Sequence, residues 1–138
     1  MITAIDTNVL LDVFLNDPRF GQVSGKHLRE ALRLGAIVAC DPVWAETAAV
    51  FPERADFEKA MRTLGIQFSP LTQKAAAEAG MAWKRYRDSG GKRLRMVVDF
   101  LIGAHALIQC DRFLTRDRGF YRNFFHRLKI TDSSCASV

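Results

Sequence analysis

The sequence predicts an α/β fold, a three-layer α/β/α sandwich around a central, mainly parallel sheet of four or five strands. Three observations predict it. Strand-like and helix-like patterns alternate along the chain, as in a parallel sheet covered on both faces. The first apolar run is short and reads as a buried strand. The 138 residues suit one domain that closes its core without disulfides or a structural metal. Residues 1–132 are read as that domain and 133–138 (SSCASV) as a flexible tail.

Residues 2–5 (ITAI) form the first strand, and a helix follows over 7–15. From Lys26, Leu28, Ala31 and Leu32 recur at helical spacing until Gly35 offers a stop. Residues 37–40 are the second strand. Asp41 is the expected cap, with Pro42 in the first helical position. Phe57, Ala60, Met61 and Leu64 mark a helix ended by Gly65, and 66–68 a third strand. Thr72 caps a helix whose buried stripe is Ala75, Ala79, Ala82, Trp83 and Tyr86. Residues 87–95 (RDSGGKRLR) break the pattern with a Gly-Gly pair in a basic run and read as a mobile loop. A helix apolar almost all round covers 96–110, a fourth strand 112–115 and a possible fifth 129–131.

Twenty Lys and Arg against 15 Asp and Glu leave a net charge of +5, which favours an anionic partner such as nucleic acid. Cys40, Cys110 and Cys135 lack metal-ligand spacing, so a reducing, cytoplasmic setting is expected. No apolar run approaches the ~18 residues of a membrane span, and the N-terminus lacks a cationic leader. Neither a membrane partner nor secretion is expected.

The acidic residues carry the functional reading. Asp6 and Asp117 each follow a strand, where open α/β sheets form their ligand crevice. Asp99 is the lone acid in MVVDFLIGAHALIQC, on a helix face it shares with the small residues Gly103, Ala106 and Cys110. Glu46 lies one turn into the helix that follows the second strand. Each has an ordinary alternative: Asp6 and Asp117 as helix caps, Asp99 as a first-turn acid, Glu46 as a surface glutamate. Gathered within about 4 Å, such carboxylates repel by ~4 kcal/mol per pair at an effective dielectric of 20, so a cation must join them. Oxygen donors alone point to Mg²⁺ or Mn²⁺, whose chemistry suits phosphodiester hydrolysis.

IDTNVLLD at Ile5 to Asp12, WAE at Trp44 to Glu46, VVDFLIGAHAL at Val97 to Leu107 and LTRDRGFYRNFF at Leu114 to Phe125 together resemble the PIN-domain family. They occur in family order over roughly residues 1–131. Among PIN proteins, the short chain is most similar to the VapC toxins of type II toxin–antitoxin pairs. The resemblance implies a ribonuclease with Asp6, Asp99 and Asp117 as metal ligands and Glu46 positioning metal or attacking water. Asn8 and Thr115 would be supporting polar residues. It further implies a homodimer, tRNA or rRNA as substrate, and an antitoxin that covers the active site.

Lys92, Arg93, Arg95, Arg116 and Arg118 are candidate RNA contacts, with a solvated surface as the plain alternative. His105 is expected on a polar rim, Asp12 in a structural or solvent role. Tyr121, Phe124 and Phe125 suit a core or dimer interface better than base stacking. Competing functions are a PIN nuclease of RNA processing or decay, a non-catalytic PIN-like RNA-binding module and, more distantly, a phosphotransfer fold. A haloacid-dehalogenase-like phosphatase would need a second Asp where Asn8 stands.

Overall fold

The computed structural model describes residues 1–90 and 95–132. The central residues of the expected mobile loop and the expected tail lie outside them. The elements run β1 (Ile2–Ile5), α1 (Thr7–Phe14), α2 (Gly21–Leu34), β2 (Ala36–Ala39), α3 (Asp41–Ala48), α4 (Arg54–Leu64) and β3 (Ile66–Phe68). They continue with α5 (Gln73–Asp88), α6 (Val97–Gln109), β4 (Arg112–Thr115), α7 (Arg118–Phe124) and β5 (Ile130–Asp132).

The five strands pair in parallel in the order β3-β2-β1-β4-β5. Parallel strands need crossover helices, and right-handed crossovers change face where the strand order reverses. The result is the expected α/β/α sandwich, with α1 packed on α2 and α5 on α6. Ile5, Ile37, Ala39, Phe113 and Leu114 carry the buried sheet, 1% exposed or less. Phe100 joins Phe120, Phe124 and Phe125 in an aromatic cluster that binds α6 to α7 and the residue after it. Gly103 permits that approach, because a Cβ there would come within 2.5 Å of the Phe125 ring.

Local chemistry sets the boundaries. Gly65 ends α4 at φ 80°, a left-handed conformation that glycine adopts without steric cost. The Thr72 hydroxyl accepts from Ala75 N–H at 3.1 Å and caps α5. Two expectations need correction. The second helix starts at Gly21 instead of Lys26, since Phe20 N–H and Arg19 N–H both bind Asp17 Oδ1 at 2.8 Å and turn the chain into it earlier. The cap of α3 is Cys40; Asp41 is the first helical residue, and its Oδ1 accepts from Leu71 N–H across the β3–α5 loop.

Candidate active site

The strand order reverses between β1 and β4, and the crevice opens at their carboxyl ends. Ile5 is in register with Leu114, so Asp6 and Thr115 emerge side by side. Asp6 is 6% exposed. Its Oδ1 accepts from Thr7 N–H at 2.8 Å, and its Oδ2 from the Thr115 hydroxyl at 2.7 Å and the Asn8 amide at 3.4 Å. Capping and membership of the acidic group therefore coexist in one side chain. Burial pushes its pKa up from 3.8 to about 6 against these hydrogen bonds, with help from the negative charges of Asp117 and Asp99.

Thr115 also ties in Asp117, whose N–H donates to its hydroxyl at 3.0 Å. Asp117 precedes α7 but makes no side-chain cap bond. Its Oδ2 instead meets Arg95 Nη1 at 2.6 Å, and the same nitrogen lies 3.9 Å from Asp99 Oδ1. Asp99 stands in the first turn of α6, accepting from Met96 N–H at 3.3 Å. Burial raises its pKa, Arg95 and the Met96 N–H oppose the rise, and Asp117 adds to it. Glu46 is exposed, and its Oε1 accepts from the Thr7 hydroxyl at 2.7 Å, which draws α3 to the residue beside Asp6.

The candidate RNA contacts divide. Lys92 and Arg93 lie outside the described residues. Arg118 opens α7, half-buried. Arg116 is gripped by Asp12 through Nε and Nη2 at 2.7 and 3.0 Å and lies over the Phe20 ring. Asp12 is itself 4% exposed and accepts from the Ser24 hydroxyl at 2.7 Å. Sequence reading missed this clamp, which ties the Asp117 loop to α1 and α2; so too the bridging by Thr7 and Arg95. The signal was Asp12, one turn after Asn8, for which a structural or solvent role was expected without its partners.

His105 is a correction. It is 1% exposed, not a rim residue, and its Nε2 lies 2.9 Å from the Ser69 hydroxyl. Burial lowers its pKa, favouring the neutral ring. With Gln109, which binds Pro70 C=O and Thr72 N–H, it ties α6 to the β3–α5 loop. Tyr121 and Phe125 are core residues, 1% and 2% exposed, with Phe124 partly buried.

The acids offer oxygen donors, which a hard divalent cation prefers, and burial first, then the charges of Asp117 and Asp99, disfavour the charged form of Asp6 unless positive charge is supplied. Among the described residues no group of three or more His, Cys, Asp or Glu is arranged to hold a metal as it stands. Arg95 supplies positive charge there instead.

A buried acid at the switch point of a parallel sheet, with further acids on the neighbouring strand end and helix, defines an α/β protein with an acidic crevice. The model of the PIN domain matches residues 3–124, and the chain belongs to this family of nucleases. Its fold resembles solved toxin–antitoxin structures. VapBC2 from Rickettsia felis, bound to a DNA fragment from its promoter, aligns with TM-score 0.75 and 15% identity over 96% of this chain and 98% of that one. VapBC-1 from nontypeable Haemophilus influenzae gives 0.73 and 17% over 98% and 100%. DNA-bound VapBC from Salmonella typhimurium gives 0.71 and 18% over 96% and 98%. No curated protein sequence matches significantly. No helix among the described residues is long and apolar enough to cross a membrane.

Proposed function

We propose that the chain is the toxin of a VapBC-type pair, an endoribonuclease that uses Mg²⁺ or Mn²⁺ to hydrolyse phosphodiester bonds in tRNA or rRNA. The observation that carries this reading is Asp6, buried at the switch point and joined through Thr115 to Asp117, which Arg95 links to Asp99. The VapBC structures that the fold resembles are toxin–antitoxin complexes and support a cognate antitoxin as partner. A homodimer and a cytoplasmic setting belong to the same proposal.

The bound cation supplies charge neutralisation and Lewis-acid activation of the phosphodiester and the attacking water. The chain's residues do the rest. Thr115, Thr7 N–H and Asn8 fix the Asp6 carboxylate, so its lone pairs are aimed before the ion arrives. Asp99 and Asp117 would be the further ligands, and Glu46, held by Thr7, would position the ion or the water. Lys92, Arg93, Arg95, Arg116 and Arg118 are the proposed phosphate contacts, with Arg116 the most constrained by its hold on Asp12.

One observation favours a second reading. Arg95 already neutralises Asp117, as it would in an RNA-binding module without turnover. The test incubates purified protein with total cellular RNA in Mg²⁺, in Mn²⁺ and in EDTA, beside Asp6→Ala. Discrete cleavage ends that need metal and vanish in the variant are expected. RNA retention without cleavage selects the binding module. A neighbouring gene for a small DNA-binding protein separates a toxin from a nuclease of RNA processing.

A further inference from the structure

Arg95 is a fixed cation inside the acidic crevice. Its Nη1 lies 2.6 Å from Asp117 Oδ2 and 3.9 Å from Asp99 Oδ1, and its guanidinium carbon sits 4.2 Å from the centre of the Phe120 ring. Asp99 stands in the first turn of α6 and Asp117 just before α7, with β4 between them in the chain, and one guanidinium serves both. A divalent ion bound through either oxygen of Asp117 would lie within a few ångströms of the guanidinium that holds Oδ2. Two cations that close repel strongly.

We infer that Arg95 is an internal competitor for the cation: it neutralises Asp99 and Asp117 in the metal-free protein and must release Asp117 when a divalent ion enters. The inference rests on the reading of this crevice as a metal centre. The geometry suits an exchangeable pair. Side chains of Arg95, Asp99 and Asp117 are 30%, 29% and 32% exposed, so water screens the pair and replaces it cheaply. The contact with Asp117 is through one nitrogen, without the two-pronged grip that Asp12 has on Arg116. The Phe120 face gives the guanidinium a resting place once it lets go of the carboxylate.

An occupied site binds its ligand with an affinity reduced by the fraction of molecules in which it is open. Removing the competing charge therefore tightens metal binding. A residue that merely positions Asp117 would do the opposite when lost.

The test is calorimetric Mn²⁺ titration of the wild type, Arg95→Gln and Arg95→Lys, with Asp6→Asn as the blank and circular dichroism to verify folding. Arg95→Gln is expected to bind Mn²⁺ roughly 3- to 30-fold more tightly than wild type, and Arg95→Lys to stay near it. Equal or weaker binding by Arg95→Gln, with the wild type still binding, overturns the inference and leaves the metal centre standing. No binding by the wild type or either Arg95 variant overturns both. The wild type gives a second readout that needs no variant, the side-chain Nε–H resonance of Arg95 during Mg²⁺ titration. A shift in step with metal uptake is expected, and an unmoved resonance at saturation contradicts the release.

Discussion

Arg116 and Arg95 approach the Asp117 region from two sides, and their surroundings give them different work. Arg116 meets a carboxylate that is 4% exposed, grips it through two nitrogens, lies on the Phe20 ring and shares Asp12 with the Ser24 hydroxyl. Arg95 meets two carboxylates each about a third exposed, with one nitrogen at contact distance. A closed, buried pair is a fastener, because removing either partner strands a charge away from water. An open pair is an exchangeable counter-charge. The lesson is that the carboxylate an arginine meets, and how dry that carboxylate is, decides between holding the fold and serving the site.

Asp6 is the crevice acid that is as buried as Asp12 but has no arginine among its hydrogen-bond partners. Asp6→Asn is expected to lower metal-dependent RNA cleavage by more than about 100-fold, the upper end of what losing a mere supporting residue costs. The same change should stabilise the metal-free protein at neutral pH. The folded pKa of Asp6, about 6, lies above the ordinary 3.8, so folding favours the protonated acid. Its contribution is fully present below 3.8 and is lost as pH rises through 6, a swing on the order of 3 kcal/mol. Melting in EDTA from pH 4 to 8 checks it. The wild type should lose stability relative to Asp6→Asn across that window, and parallel curves would remove the argument from burial.

Arg116→Ala comes next and probes the fastener. It should cost about 3 kcal/mol of stability, the low end for breaking a buried pair, because the guanidinium is partly exposed. Urea unfolding measures it, and a loss under 1 kcal/mol would put Arg116 in the same class as Arg95. Gly103→Ala tests whether the α6 face carrying Asp99 needs its closeness to Phe125. The overpacking should cost roughly 1–3 kcal/mol, read as a lowered melting temperature. The smallest effect belongs to a position remote from both arginines: Thr72→Ala should cost about 1 kcal/mol through the lost cap of α5 and leave cleavage unchanged.

Much of the fold was legible because its signals are local. The strands at Ile66–Phe68 and Arg112–Thr115 are short segments with large apolar residues that directly follow Gly65 and Asp111, and the Gly65 stop needs only the residue itself. The start of α2 was hidden because Gly21 and Gly25 carry no apolar period. Asp41 passed for a cap because its true partner, Leu71 N–H, lies 30 residues away. At the site, the acids that follow strands announce themselves through the topology of parallel sheets, so Asp6 and Asp117 could be placed on one edge from sequence order. The pairings of Arg95 with Asp117 and of Arg116 with Asp12 depend on side chains meeting across the fold, the latter 104 residues apart. No local pattern separates two arginines that differ only in whom they meet. His105 failed for a related reason: its helical position looked polar, but the β3–α5 loop folds over it and Ser69 satisfies its ring.

The most direct test of the account is a crystal of this protein soaked in Mn²⁺ and measured for anomalous scattering from manganese. A peak bounded by Asp6, Asp99 and Asp117 is expected, with the Arg95 guanidinium turned away from Asp117. A saturated crystal with no peak at these acids, or with manganese bound elsewhere and Arg95 still on Asp117, would contradict it.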